Sequence, residues 1–556
     1  MWPAQLNRRP LGPLLRRGAL EARVMAQAQP PDLAVQRNDQ REVIDFLSDP
    51  NSYSGVDRVE RFETHGNLVF LAGSEAWKIK RAVRLAYMDF STLEKRHAAC
   101  SREVEINRRF GSDLYLGCVP IARSPAGALI LGGNGDIVEW AVRMRRFDQS
   151  ALLSVIADQA GVSRDLARAL AEAAHEAHQR AQPVICSGTI ALGGLATSIS
   201  TTLGQSAIAC PALAMLARGL RERIGLCAAA LDERAAHGFV RRCHGDLHLA
   251  NIVLWRGRPA LYDAIEFDEA IATVDTLYDL AFLLMDLDRH KLRPAANAVL
   301  NHYLWLSAEP LDLQGLIALP LFLALRAAVR AMVTVDRADQ EEGEARERDL
   351  ERARGYLRAA LDYLKPPPPQ LVAIGGLSGT GKTTVAASLA PSLGPAPGAI
   401  HLRTDLERKR LAGVGELQRL PHGAYAPDAR KRVYQMLSEQ ARLVLSAGHA
   451  VIIDAVFDDP DVRQDVEALA REAGVPLQGI WLHAVPETLL KRVTDRRNDA
   501  SDATPEVVCA QLKGDHGPLT AEWTVVDAGG RLVDTLARAR TALKGVEGRA
   551  HDDPQS

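Results

Sequence analysis

One run of ten residues, GGLSGTGKTT from Gly375 to Thr384, constrains this chain more than any other, because it follows directly on an apolar run, Leu371–Ile374. Gly376 to Thr383 fits the spacing G-x-x-x-x-G-K-[ST]. Such a stretch is a turn from strand to helix whose backbone N–H groups wrap an anion, and the helix that follows adds its positive N-terminal end. Gly376, Gly379 and Gly381, with Ser378 and Thr380 between them, keep the loop small. Lys382 is placed to reach the outer phosphates of a nucleotide, Thr383 to offer its hydroxyl to Mg²⁺, and Thr384 to carry the chain into the helix.

The surrounding sequence agrees with that reading. From about residue 370 to 548, strand and helix patterns alternate: strand Leu371–Ile374, helix Thr383–Leu389, strand "AIHLRTD", helix Asp428–Ala447, strand "AVIIDAVF", helix Asp461–Ala473, strand "LQGIWLHA" and helix Glu487–Arg496. This alternation predicts a doubly wound, mainly parallel sheet. Asp405 falls at the end of the second strand, where open sheets bind ligands, and a carboxylate there can take the proton of an acceptor hydroxyl. Asp454, at the end of the third, suits a Mg²⁺-bound water. Arg492 and Arg496 stand four apart on one predicted helix face, where they could close over a transferring phosphoryl group. Residues 370–515 resemble the small-molecule kinase branch of the P-loop proteins, which includes gluconate and shikimate kinases and the zeta-toxin group. The resemblance rests on "GLSGTGKTT", "RTDLERKRL", "YAPDARKRVY", "VIIDAVFDDPDVR" and "RVTDRRNDASDAT". It implies that Asp405 serves the acceptor, that Arg492 and Arg496 form a lid, and that Arg463 also faces the acceptor.

A second device lies earlier, in "CHGDLHLANIVLW", Cys243–Trp255. A carboxylate and an amide interrupt an otherwise apolar stretch, which would be unfavourable as mere structure. His244, Asp246 and Asn251 reproduce the H-x-D-x-x-x-x-N spacing of a kinase catalytic loop, with Asp246 as base and Asn251 as Mg²⁺ ligand. One predicted hairpin later, "YDAIEF" supplies Asp263 as the next metal ligand. With "HGD" and the run "VDTLYDLAFLLMDLD", this region, residues 40–340, resembles the aminoglycoside phosphotransferases and related kinase-like families. The chain as a whole thus resembles bifunctional aminoglycoside phosphotransferase/ATP-binding proteins. The resemblance implies a small sheet-rich lobe followed by a helical lobe, ATP and Mg²⁺ as cofactors, and a strand lysine paired with a helix glutamate. Lys78 and Lys80 share a strand face in "AWKIK", and Glu103 and Glu105 follow in "SREVEINRR". The pair chosen is Lys78 with Glu103. No clear glycine-rich loop precedes them, although "THGN" and "AGSE" are available to cover phosphates. Acidic residues crowd after Asp263 (Glu266, Asp268, Glu269, Asp275, Asp279, Asp286, Asp288). They suit a groove for cationic acceptors, or else Asp275 and Asp279 cap and orient helices, and capping is the plainer expectation.

Between the two parts runs "LKPPPPQL", whose four prolines end the preceding helix and form a short stiff spacer. The division expected is 26–365 for the kinase-like domain, 366–369 for the spacer and 370–548 for the P-loop domain. Residues 1–25 are expected to be either a disordered tail or a mis-assigned start, with translation beginning at Met25, and 549–556 a C-terminal tail. At 556 residues the chain is too long for one core, and a net charge of −2 supplies no field for nucleic acid or an anionic membrane. The seven cysteines form no CxxC pair, which fits a reducing cytoplasm. The longest apolar candidate, Leu316–Leu325, is too short to span a bilayer, so no membrane role is expected. The function expected is a bifunctional ATP-dependent phosphotransferase acting on small-molecule hydroxyls. The alternatives are one active kinase regulated by nucleotide in the other domain, a toxin-like nucleotide-sugar kinase in the C-terminal half, or a Ser/Thr protein kinase.

Overall fold

The computed structural model describes residues 40–547 apart from 65, 85–88, 111–112, 134 and 498. The expected tails, 1–25 and 549–556, therefore lie outside the described residues. In chain order the elements up to the spacer begin with α1 (Arg41–Ser48), β1 (Val59–Glu63), β2 (Asn67–Ala72), β3 (Glu75–Lys80) and α2 (Leu93–Arg109). Then come β4 (Tyr115–Arg123), β5 (Leu129–Leu131), β6 (Asp136–Arg145), α3 (Leu153–Gln159), α4 (Arg164–Arg180), α5 (Gly188–Gly204) and α6 (Ala212–Ala236). They continue with β7 (Val240–Arg242), β8 (Ile252–Trp255), β9 (Arg258–Leu261), α7 (Glu269–Ala272), β10 (Thr273–Asp275), α8 (Thr276–Arg289), α9 (Arg293–Ser307), α10 (Pro310–Gly315), α11 (Leu319–Ala338) and α12 (Gly343–Tyr363). After the spacer come β11 (Leu371–Gly375), α13 (Lys382–Leu389), β12 (Ile400–Arg403), α14 (Thr404–Leu411), α15 (Pro427–Ser446), β13 (Val451–Asp454) and α16 (Pro460–Ala473). The last are β14 (Leu477–His483), α17 (Pro486–Asp495), α18 (Pro505–Lys513), β15 (Trp523–Asp527) and α19 (Leu532–Glu547).

The fold groups into two compact units. One takes Met1–Ile156, Glu176–Ala217 and Gly238–Asp279; the other takes Ala157–His175, Arg218–His237 and Leu280–Ser556. The proline spacer thus falls inside the second unit.

The first unit is built on an antiparallel sheet of order β1-β2-β3-β6-β4-β5. Strand alternation divides its side chains between two faces. Phe70, Trp77 and Ile79 pack with Val43 and Leu47 of α1 on one face. Leu71 and Ala76 pack with Cys100 and Val104 of α2 on the other. Lys78 and Lys80 share the parity of Ala76, so they enter the α2 side. On α2, Cys100, Glu103, Val104 and Asn107 are all buried, at the spacing of one helical stripe. "THGN" joins β1 to β2, and "AGSE" is the turn from β2 to β3.

The second unit carries a five-stranded sheet of order β12-β13-β11-β14-β15, every pair parallel. The expected doubly wound α/β class is the one observed. Val372, Ile374, Ile452 and Ile480 form its core against Val385 and Leu389 of α13 and Ala539 of α19. The helices before the spacer contribute α11 and α12, packed along their length. One continuous stretch, Pro310–Ala338, is long and apolar enough to cross a membrane by length and composition, unlike the shorter run weighed from the sequence; 72% of its most apolar window is buried inside the protein.

Candidate active sites

The site in the first unit is assembled around Glu103, which is fully buried and accepts from both lysines: Lys78 Nζ at 2.9 Å and Lys80 Nζ at 2.6 Å. Lys78 also donates to Asp263 Oδ1 at 2.5 Å, and Lys80 donates to Glu266. Burial alone would raise the Glu103 carboxyl, but the two ammonium groups outweigh it and hold it down at about 2. Burial raises Glu266, with the lysines only partly offsetting it. Burial would likewise lower Lys78, yet Asp263 and Glu103 keep its ammonium well above the usual range. The chosen pair therefore meets, and the structure adds a second lysine to the same glutamate.

The "HGD" segment forms the opposite side. Asn251 Nδ2 donates to Asp246 Oδ2 at 2.8 Å and to the Asp246 carbonyl at 3.0 Å, closing the five-residue loop on itself. Asp246 is 36% exposed, with His248 Nε2 at 3.3 Å. Gly245 has φ +84, and a Cβ there would meet Ala272 and Ile265 at 3.1 Å. Asp279 braces the loop from beneath by accepting the N–H groups of Gly245 (2.8 Å) and His244 (3.2 Å). His178 Nε2 lies 3.1 Å from Asp279 Oδ2. Asp263 takes a left-handed backbone, φ +57, unusual for a non-glycine residue. The Tyr115 hydroxyl at its N–H and Asn107 Oδ1 at the N–H of Ala264 hold it there.

The acidic residues after Asp263 are internal partners. Glu266 serves Lys80, Glu269 serves Arg102 and Arg242, Asp268 caps α7, and Asp275 accepts from Leu277 N–H. Asp288 pairs with Arg293, and Asp286 lies 3.9 Å from His290. The capping expectation made for Asp275 and Asp279 fits Asp275, whereas Asp279 accepts the loop N–H groups of His244 and Gly245; the others named here are likewise committed inside the fold.

In the second unit, β11 ends at Gly375, and α13 starts at Lys382 with Gly381 as its N-cap. Gly376 has φ +129, and a Cβ there would stand 2.4 Å from the Leu482 carbonyl oxygen. Gly379 has φ +88, with Leu489 O at 2.7 Å from such a Cβ. Ser378 N–H donates to Gln511 Oε1 at 2.9 Å, and Thr380 Oγ1 to the Leu377 carbonyl at 2.8 Å. Lys382 Nζ donates to Leu377 O at 3.1 Å. Burial lowers its pKa, opposed by Asp454 and Asp405. Thr383 Oγ1 donates to Asp454 Oδ2 at 2.6 Å. Burial would raise Asp454, but His401, Arg403 and Lys382 bring it down to about 2.

Three expectations change here. Asp405 lies in the first turn of α14, one residue past Thr404, because β12 ends at Arg403. Arg492 and Arg496 do not share a helix face: α17 ends at Asp495, and Arg496 adopts extended backbone as the C-cap. Arg496 lies in the field of Lys382, whereas Arg492 donates to the Gly530 carbonyl at 3.2 Å. Arg463 is buried, and its guanidinium donates to the carbonyls of Phe457, His516 and Pro518, so it is not aimed at an acceptor. Several residues escaped the sequence reading. Tyr115 and Asn107 brace the first site, and His401 and Arg403 flank Asp454 at 3.5 and 3.8 Å. The only signal for the last two was their alternation with Leu402 on a short strand.

The donor sets suit a hard divalent cation, since Asn251, Asp263, Thr383 and Asp454 all offer oxygen. Residues 371–517 match the family model described as "AAA domain". The chain is 32% identical over 462 residues to "Uncharacterized protein Rv2004c" of Mycobacterium tuberculosis (strain ATCC 25618 / H37Rv), covering 81% of this chain and 88% of that one. "Uncharacterized protein Mb2027c" of Mycobacterium bovis (strain ATCC BAA-935 / AF2122/97) matches equally. Among solved structures, a gluconokinase from Sinorhizobium meliloti 1021 is 18% identical, covering 33% of this chain and 96% of that chain at TM-score 0.25. A choline/ethanolamine kinase family protein from Mesorhizobium loti is 15% identical, covering 59% and 99% at TM-score 0.35. The chain belongs to one family with these mycobacterial proteins.

Proposed function

We propose that the protein is an ATP-dependent phosphotransferase with two active sites, each moving the γ-phosphoryl group of ATP to a hydroxyl of a small molecule in the cytoplasm. The observation that carries it is the meeting of Lys78, Glu103 and Asp263 in one unit with a complete phosphate loop, Lys382 to Thr383 to Asp454, in the other. In the first site Asp246 takes the proton of the acceptor hydroxyl. The acceptor oxygen then bonds the γ-phosphorus while the β–γ bridging P–O bond breaks, and ADP leaves. Lys78 steadies the inner phosphates, and Asn251 and Asp263 would hold Mg²⁺. In the second site the loop amides and Lys382 hold the phosphates, Thr383 and Asp454 would hold Mg²⁺ directly or through water, Asp405 serves the acceptor, and Arg496 meets the transferring group. A bound Mg²⁺ supplies neutralisation of the phosphate charge as it builds.

The test is turnover of γ-labelled ATP across sugars, aminoglycosides, nucleosides and peptides, with the intact chain, Asp246→Ala and Lys382→Ala. Two active sites require each substitution to abolish transfer to a different acceptor, with losses of about 10²–10⁴-fold for the base. If one substitution abolishes all transfer and the other only changes its nucleotide dependence, the second site is a regulator and the bifunctional reading fails.

A further inference from the structure

The second unit encloses a cavity of about 590 Å³ beside the edge strand β12. It lies on the far side of α14 from Asp405: Leu406, Glu407 and Arg410 line it, and Asp405 does not. Its other wall comes from α9, α10 and the start of α4. A volume of this size falls in the range of small-molecule sites, about 300–1,000 Å³.

The polar groups on its wall are unequally satisfied. Trp305 Nε1 and Arg403 Nε are buried and make no hydrogen bond among the described residues; both are donors. His401 Nε2 faces Asp454 Oδ2 at 3.5 Å. The side chains of Arg403 and His401 are only 6% and 7% exposed. Buried donors of this kind carry a penalty unless a partner arrives, and the partner must bring acceptors. The charges on this side agree. Arg164, Arg168 and Arg403 line the wall with Glu416 among them, paired with Arg168 and 3.7 Å from Arg403. Of the other lining acids, Glu407 is taken by Arg410 and Gln440, while Glu309 and Glu439 are exposed. Leu313, Met436 and Leu443 supply an apolar floor.

We propose that this cavity binds a small anionic metabolite, a phosphate or carboxylate group on a body of about sugar size, as an effector distinct from the phosphate loop and its acceptor. The anion accepts from Arg403, Arg168 and the Trp305 indole. The site communicates with the loop through two residues. Arg403 Nε and His401 Nε2 lie 3.8 and 3.5 Å from Asp454 Oδ2, the atom that takes the Thr383 hydroxyl. An anion that draws off the Arg403 charge leaves Asp454 a stronger cation ligand. The communication rests on reading the second site as a nucleotide site; the binding does not.

The test is titration calorimetry on the full chain with the phosphate loop saturated by MgADP. Glucose 6-phosphate, citrate and inorganic phosphate are the probes, and glucose is the uncharged control. The expected result is saturable binding of glucose 6-phosphate or citrate, the better of the two telling phosphate from carboxylate, with none for glucose. Arg168→Ala and the exposed-site Arg164→Gln should each weaken that binding, the first by about ten-fold, as loss of one charge-assisted hydrogen bond requires. Arg164→Gln keeps the test valid if Arg168→Ala unfolds. With the anion present, half-saturating Mg²⁺ for ADP binding should fall by a few-fold. Absence of binding by all three anions, or binding that neither substitution changes, overturns the proposal. An unchanged Mg²⁺ requirement overturns the communication and leaves the anion site standing.

Discussion

Glu103 holds two buried lysine ammoniums, so its charge decides the integrity of the first site. Its folded pKa is about 2 against an ordinary 4.5. A depressed carboxyl contributes stability that is fully present above the unfolded value and is lost as pH falls through the folded one. The contribution of Glu103 should therefore disappear between about pH 4.5 and 2. Urea unfolding at a series of pH values should show a shallower acid slope in Glu103→Gln than in the parent, together with lower stability at neutral pH, because two buried ammoniums lose their shared partner. An unchanged slope would mean that Lys78 and Lys80 find other acceptors. The pair itself was legible in the sequence: strand parity puts Lys78 and Lys80 on one face, and helical spacing turns Glu103 inward. That Lys80 would meet Glu266, 186 positions away, was not legible, since only tertiary packing brings them together. The lysines and the Asp246–Asn251 loop could be read because their spacing is local. Arg496 and Arg492 were misgrouped because the end of α17 at Asp495, with no glycine to mark it, is set by the following chain.

At the scale of elements, each site is a loop clamped by its neighbours. Gly379 illustrates the clamp in the second site: its φ is +88, and α17 supplies a carbonyl oxygen 2.7 Å from any Cβ. Gly379→Ala combines left-handed strain with overlap and should destabilise by about 2–4 kcal/mol. Gly381 also has positive φ, but a Cβ there meets nothing within 4 Å, so Gly381→Ala should lower the melting temperature less. Thermal unfolding of the two variants, with ADP binding to the second site measured alongside, tests this; equal melting temperatures would show that α17 yields. The elements that fix this loop were legible from the βα alternation, where apolar strands and amphipathic helices keep different periods. α5 was not. Its glycines and β-branched residues make a poor helix former, and the burial of Leu192, Ala196, Ile199 and Leu203 on one stripe overrides propensity. The apolar run Leu316–Leu325 likewise does not form one helix: α10 and α11 are separated by a 3-10 turn, Leu316–Ala318, just before Pro320 at the start of α11.

At the scale of the whole chain, composition marked a boundary at the prolines, yet helices on both sides of them group in one compact unit. A proline run reports where a helix must stop, not which surfaces later pack; α11 and α12 bury Leu325, Ala328, Leu350 and Leu357 without any signal that says against what. The two candidate sites nevertheless share no residue. Lys78, Glu103, Asp246, Asn251 and Asp263 belong to the first unit, and Lys382, Thr383, Asp405 and Asp454 to the second. Two separate lysines, each able to meet phosphate oxygens, predict two nucleotides per chain. Equilibrium dialysis with a non-hydrolysable ATP analogue and Mg²⁺ should therefore approach two equivalents for the intact protein. It should approach one for Lys382→Ala and one for Lys78→Ala, at concentrations that saturate the parent. Loss of the lysine charge removes a charge-assisted contact of about 1.5–3 kcal/mol, enough to move a site out of a range that fills its neighbour. One equivalent in the intact protein, abolished by Lys382→Ala and untouched by Lys78→Ala, would assign nucleotide binding to the phosphate loop alone. It would leave the first unit's lysines as a structural ion network around Glu103.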